Sequence, residues 1–371
     1  MRHFLSFAKY SSIPTIFFYM KVALLNDQLN AGGAEKVLVN MANILHARGE
    51  NVIVVLFMSP ASLDKQLHPE IPVHYLNRKG RFDRAAMRKL KLLVQTCDIV
   101  HVHSRYNLRY FMVAKYLTGI FHPKVVFHEH VPGYPKLDLF TRILFKRLDG
   151  YIAVLLNICD WAIGQNLVQP SKVFYLPNIV ARPETPIVFN QNDHCKILMV
   201  GNFRKVKNHL FAIQLVEYLG NGTTLDLYGM IEDQAYYDEL VNYIHDKNLT
   251  RKVNIIIGVN NLYNVIGKYD FALHTATLET GPLVLHEYMQ AGLLFLTYNT
   301  GDVSNNISKL LPELVMHSFE QQTWFTSITT ILKNESTRNA IKIKMKQVVE
   351  EIYTEEKYWQ RLSNVYKTVL Q

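Results

Sequence analysis

Glu279 and Glu287 stand eight residues apart in Glu279-Thr-Gly-Pro-Leu-Val-Leu-His-Glu287, around a Gly-Pro turn and at the start of an apolar run. Two carboxylates in one site first suggest a general acid and a general base. Their surroundings change that reading. Tyr269 to His274 has the pattern of a strand and Leu283 to Ala291 that of a helix. Glu279 therefore falls in the loop at the strand's carboxyl end, and Glu287 about one turn into the helix. The helix N-terminus lies between them, and its unsatisfied N–H groups favour an anion. Two hydroxyl-binding carboxylates flanking an anion site suit a sugar carried on a nucleotide diphosphate.

Three other groups could serve such a ligand. Asn30-Ala31-Gly32-Gly33-Ala34-Glu35 links an apparent strand to a helix, and adjacent glycines let backbone approach a ligand closely. A tight turn explains two glycines about as well, and the motif is not G-x-G-x-x-G, which weakens a dinucleotide reading. Val200-Gly201-Asn202-Phe203-Arg204-Lys205-Val206-Lys207-Asn208 offers basic side chains to a diphosphate, or is a lysine-rich surface loop. His101 with His103, and His128 with His130, each share a strand face at positions i and i+2. Either pair could hold a metal, but no D-x-D pair accompanies them, so no metal site is expected. Hydrogen bonding to sugar hydroxyls is expected of His130 and His103, and of His101 and His128 an ordinary packed or surface position.

Such residues need a scaffold that brings loops together. From Lys21 the chain alternates short apolar runs with helical stretches: Val22–Leu25, Val52–Phe57, Ile99–Val102, Val125–His128 and Tyr151–Val154 read as strands, with a helix at Glu35–Arg48. The pattern pauses over Leu176 to His194, which contains Pro177, Pro183 and Pro186 and suits a linker. It restarts with strands at Lys196–Val200, Thr224–Tyr228, Val253–Ile257, Phe271–Leu273 and Leu294–Thr297, and ends in a helical stretch from Thr354 to Leu370. The expected fold class is α/β, with two doubly wound, Rossmann-like domains facing across a cleft. The boundaries read as an extension at 1–19, a first domain at 20–180, a second at 181–353, and a closing helix at 354–371 that crosses back.

A length of 371 residues suits two such domains. Cys97, Cys159 and Cys195 form no C-x-x-C pair, so a disulfide framework is not expected and a reducing cytoplasm fits best. The net charge of +9 is uneven: residues 1–190 hold 23 Lys and Arg against 12 Asp and Glu. The densest run is Arg78, Lys79, Arg81 and Arg84, continuing to Arg88, Lys89 and Lys91. It reads either as a contact with an anionic membrane surface, at the inner face of the cell membrane, or as a solvated helix face with Met87, Leu90 and Val94 turned inward. Nucleic acid is not expected as a partner, since no recognition motif accompanies the charge. No apolar stretch has the length of a transmembrane span. Residues 1–19 lack a signal-peptide cleavage pattern and read as an upstream-start product or a membrane-touching extension.

Taken together, these positions resemble glycosyltransferase family 4, the retaining, nucleotide-sugar-dependent enzymes of GT-B fold. Gly32-Gly33-Ala34-Glu35 is similar to the family's amino-terminal glycine motif, and Pro177-Asn178 to its Pro-Asn. Gly201 and Lys207 resemble its diphosphate motif, Gly229 a strand-ending glycine, and Glu279 with Glu287 its E-x7-E signature. The resemblance implies that Glu287 binds ribose hydroxyls and Glu279 the transferred sugar. Lys207 would neutralise the diphosphate, assisted by backbone amides of Gly281, Pro282-flanked Leu283 and Val284. Gly32 and Gly33 would admit the diphosphate to the first domain, His130 would sit beside the anomeric centre, and backbone at Gly258 and Val259 would meet the base. It implies no cofactor and no metal, a nucleotide-sugar donor, and a glycan or lipid-linked oligosaccharide acceptor in surface polysaccharide biosynthesis. The family arginine after Gly201 is Asn202 here, and Arg204 is expected to supply its charge. The usual Glu-Gly-Phe-Gly reads Glu279-Thr-Gly-Pro282, a proline after the second glutamate's helix is Leu294, and a frequent serine is Leu155. A sugar-nucleotide epimerase of the same architecture and a non-catalytic glycan-binding subunit stand as alternatives.

Overall fold

The computed structural model describes residues 19–371 except 31, 60–61, 132–133, 135, 184, 191–193 and 259–260. Apart from Tyr19, the extension expected at 1–19 lies outside the described residues, as does Val259.

Two parallel sheets follow one another. The first contains β1 (Lys21–Asn26), β2 (Asn51–Leu56), β3 (Val73–Tyr75), β4 (Ile99–Val102), β5 (Lys124–Glu129), β6 (Gly150–Ala153) and β7 (Val173–Tyr175), in the order β3-β2-β1-β4-β5-β6-β7. The second contains β8 (Cys195–Val200), β9 (Thr223–Gly229), β10 (Val253–Ile257), β11 (Phe271–His274), β12 (Phe295–Tyr298) and β13 (Val315–Met316), in the order β10-β9-β8-β11-β12-β13. Strands β1, β4, β8 and β11 are mostly apolar runs, as strands covered by helices on both sheet faces are. Alternation shows this directly. Ala23 and Leu25 join the core on one face of the first sheet, while Val22 and Leu24 join the core on the other.

That second face is closed by the helix Gly33–Ala47 and by the final helix Glu355–Leu370, whose Leu362, Val365, Tyr366 and Val369 pack beside Val22, Ile99 and Val126. The last helix therefore belongs to the first core, although the helix before it, Glu335–Ile352, belongs to the second. No helix of the described residues is long and apolar enough to cross a membrane.

The basic run divides. The helix Arg84–Val94 is capped by Asp83, whose carboxylate accepts from the Ala85 and Ala86 amides, and it buries Met87, Leu90 and Val94. Arg81, Arg84 and Arg88 face outward. Arg78 does not: it is buried, paired with Asp27 at 3.2 Å, with its guanidinium 4.5 Å from the centre of the Tyr106 ring. Arg78 serves packing rather than an outward charged face.

In each sheet the strand order reverses once, between β1 and β4 and between β8 and β11. Ligands of open parallel sheets bind outside the carboxyl ends of the strands at such points. The loops leaving those four strands hold Gly32 and Gly33, His103, Gly201 to Lys207, and Glu279.

Candidate functional site

Glu279 lies in the loop after β11, as the strand–loop–helix pattern requires, and the helix Leu283–Ala291 begins four residues later. Its carboxylate accepts a hydrogen bond from Lys207 Nζ, and His274 Nε2 stands 3.6 Å from the same oxygen. Lys207 closes a short helical turn, Lys205–Lys207, held by Asn208 in the left-handed region at φ 55°. The His274 ring is fixed from behind by a 2.9 Å bond between Nδ1 and the Thr297 hydroxyl on β12. Burial pushes the Glu279 carboxyl up, but the His274 ring and the Lys207 ammonium pull it down further, to about 2. This is a buried carboxylate held ionised by its partners.

The turn after Glu279 is braced on three sides. The Glu279 amide donates to the Thr300 hydroxyl at 3.1 Å, and the Asp302 amide donates to the Thr280 carbonyl at 2.6 Å. Gly301, at φ 78°, approaches so closely that an added Cβ would stand 2.7 Å from the Thr280 carbonyl oxygen. From the first domain, buried Asn178 donates through Nδ2 to the Gly281 carbonyl at 2.9 Å. The Thr280 hydroxyl in turn donates to the His130 carbonyl at 3.2 Å, which brings His130 to the Glu279 loop across the cleft.

Pro282 caps the helix, so Leu283 and Val284 occupy its first turn, where amides have no intrahelical acceptor. The Leu283 side chain itself is buried against Val37 and Val180 in a small apolar contact between the domains, so only its backbone is available to a ligand. Glu287 is buried, and Lys36 reaches across from the first domain to stand 3.4 Å from its Oε1. Gly32 is the cap of the helix carrying Lys36, and an added Cβ on Gly33 would meet nothing within 4 Å, so that loop has open space above it. Gly229 cannot be replaced: its Cβ would fall 2.1 Å from the Gly201 carbonyl oxygen, which locks the β8 and β9 loops together. Gly258 follows β10 at φ 79° and donates its amide to the Gly229 carbonyl at 2.9 Å.

Arg204 departs from expectation. It is half-exposed and pairs with Glu232 at 3.5 Å. Glu232, in the loop after the neighbouring strand β9, captures it, and Asn202 donates to that same Glu232 at 2.5 Å. Of the packed and surface positions open to His101 and His128, both take the packed one, and His103 is buried as well, with its Nδ1 3.1 Å from His130 Nε2. His130 thus faces a second imidazole as well as the cleft.

Sequence reasoning missed Lys36, His274, Thr280 and Thr300. Two of them carried a signal. His274 ends the strand immediately before Glu279, and Lys36 lies in the first helical turn after the paired glycines.

Residues 183–348 match the model of glycosyl transferases group 1, and residues 31–181 match that of glycosyltransferase family 4. Between them the two matches take in the second sheet and the first sheet from β2 onward, and the chain belongs to these group 1, family 4 glycosyltransferases. Solved structures agree on the fold. HepE from Anabaena, crystallised with UDP-glucose, superposes with a TM-score of 0.79 at 16% identity, over 94% of this chain and 100% of that one. A glycosyltransferase from Rickettsia africae gives 0.77 at 16% identity, over 96% and 100%. A TarM mutant of S. aureus in complex with UDP gives 0.75 at 11% identity, over 94% and 99%. The architecture is the GT-B fold. No curated protein matches the chain in sequence.

Proposed function

We propose that this glycosyltransferase moves a sugar from a nucleotide-diphosphate donor to a hydroxyl of a glycan or lipid-linked oligosaccharide, with retention at the anomeric carbon, in surface polysaccharide biosynthesis. The observation that carries this reading is the Lys207–Glu279–His274 cluster at the switch point of the second sheet, beside the first turn of the helix Leu283–Ala291. Neighbours of the same fold crystallised with UDP and UDP-glucose support a nucleotide-sugar donor.

As donor binds, Lys207 exchanges Glu279 for diphosphate oxygens, and Glu279 turns to the sugar hydroxyls. Glu287 takes the ribose hydroxyls. The bond from the anomeric carbon to the diphosphate oxygen breaks while the acceptor oxygen bonds to the same face, and the departing phosphate oxygen takes the acceptor's proton. Lys207 and the Leu283 and Val284 amides stabilise the growing negative charge, work that a preorganised site does well. No cation on the diphosphate is invoked, so added Mg2+ or Mn2+ is expected to leave the rate unchanged.

The acceptor side belongs to the first domain. There a cavity of about 350 Å³ is lined by Arg81, Phe82, Tyr106, Arg109 and Phe140, with Phe82 and Leu139 each 73% exposed. Exposed aromatics beside outward Arg81, Arg84 and Arg88 suit an anionic membrane surface carrying a lipid-linked acceptor.

The test is nucleotide release with a panel of donors and acceptors, followed by NMR of the product's anomeric configuration. Release that falls to background in Glu287→Ala supports transfer. Equal background release from both proteins indicates the non-catalytic subunit, and conversion of donor without acceptor indicates an epimerase.

A further inference from the structure

The four histidines at the carboxyl ends of β4 and β5 form one array on the sheet face covered by the final helix. His101 stands opposite Val126, and the same register continued by two residues sets His103 level with His128. The rings of His101 and His103 lie 4.7 Å apart between centres, those of His128 and His130 4.1 Å, and those of His103 and His128 5.3 Å. His101, His103 and His128 are 0%, 3% and 1% exposed.

Their nitrogens fall into two sets. His101 Nδ1 shares a 2.7 Å hydrogen bond with the Tyr366 hydroxyl, whose oxygen also lies 3.9 Å from Met41 Sδ. His103 Nδ1 is taken by His130. The remaining nitrogens, His101 Nε2, His103 Nε2 and both of His128, have no hydrogen-bond partner although fully buried. Buried polar atoms are paired in nearly all proteins, and four unpartnered ones in a single cluster require an explanation. One ring nitrogen from each of the three histidines already lies within 4.8 Å of one from each of the others.

We propose that His101, His103 and His128 bind a divalent transition-metal ion of the zinc type, with Tyr366 and His130 as the outer partners that orient two of the ligands. Three imidazoles at Zn–N distances of about 2.0–2.1 Å are a common zinc donor set, with a fourth position left to water or a small anion. A ligating histidine ordinarily gives its other nitrogen to an outer partner, the pattern that His101 and His103 show. The ion cross-links β4, β5 and, through Tyr366, the final helix. It is separate from the diphosphate chemistry proposed above and stands or falls independently of it.

Full-length protein freed of metal by dialysis against a chelator is titrated with Zn2+ alone and, separately, with Co2+. One Zn2+ per chain should survive gel filtration, raise Tm, and be replaceable by Co2+ with the visible absorption of a low-coordinate site. His103→Gln and His128→Gln should weaken binding roughly tenfold or more, and Tyr366→Phe, which keeps every ligand, by roughly 10–100-fold. The surface group of His46, His68 and Glu70 is the control, and His68→Gln should leave the stoichiometry and the Co2+ spectrum unchanged. The proposal is overturned if the wild-type chain retains no Zn2+, if His68→Gln abolishes retention, or if His103→Gln and His128→Gln retain it as wild type does. The wild-type titration decides even where a histidine variant fails to fold.

Discussion

The two edges of the cleft solve the problem of buried polar groups in different ways. On the second domain's edge the polar groups are charged and paired: Lys207 with Glu279, Glu279 with His274, and Glu287 with Lys36. On the first domain's edge an ion pair of Arg105 with buried Glu129 stands beside four imidazoles stacked on one another, four of whose ring nitrogens have no partner. The difference teaches what each edge is ready to receive. A saturated ionic cluster can exchange one partner for a charged ligand with little net desolvation, because the new charge replaces an old one. An unsaturated neutral cluster gains by accepting a group that fills its vacancies.

The largest way to break this contrast is Lys207→Ala. It strands Glu279 in a buried site and removes the cation proposed above to meet the leaving phosphate, and kcat should fall by roughly 100–1000-fold in nucleotide-release assays. An unchanged kcat would refute the role given to the ionic edge.

Two buried carboxylates of the second domain sharpen the contrast through pH. Glu279 is held at about 2 against an ordinary 4.5, so its contribution to stability is present above pH 4.5 and is lost as pH falls through 2. Asp302 behaves oppositely. It accepts a 2.5 Å bond from the Tyr175 hydroxyl of the first domain, and burial raises its carboxyl from 3.8 to about 6. Its contribution is therefore full below pH 3.8 and is lost as pH rises through 6. Each effect amounts to about 3 kcal/mol at most. Chemical denaturation across pH 3 to 8 should show Asp302→Asn removing a decline between pH 4 and 6, and Glu279→Gln removing a rise between pH 3 and 5. Parallel curves for wild type and both variants would show that neither carboxylate is perturbed.

Smaller effects come from bonds spanning the two edges. Asn178→Ala leaves the Gly281 carbonyl without its donor and should cost about 1–3 kcal/mol, read as a lower Tm. Lys36→Ala is the mildest. The ammonium is a quarter exposed, at 26%, and its loss should change stability by about 1 kcal/mol or less. Its larger trace should be in the donor's KM, since Glu287 loses a charge partner.

Much of the scaffold was readable because its central strands are buried on both faces and appear as unbroken apolar runs. The strand Val253–Ile257 and the helix Leu283–Ala291 fall where their patterns place them. The edge strands β3, β7 and β13 did not stand out. They have three, three and two residues, and they exist because a neighbouring strand offers hydrogen bonds rather than because their own sequence insists. The same distinction holds at the site. Glu279, Glu287 and Lys207 could be found from local spacing and from loops that follow strands. Lys36 meets Glu287 from 251 positions away, and Arg204 is drawn to Glu232 rather than to the diphosphate loop's interior. Such pairings depend on how two sheets are brought together, and no local window contains them.

The final helix has a mechanical consequence. Tyr353 is buried in the second core and Tyr358 in the first, so the chain passes between the domains there in a few residues, having already passed once between Tyr175 and Cys195. A body joined to another at one point can swing, tilt and twist. Joined at two, it keeps one easy rotation, about the line through both crossings, and strongly resists the others. Any rotation that parted the domains about that line would have to break the Lys36–Glu287 and Thr280–His130 contacts that span them, and the same double attachment would guide their return.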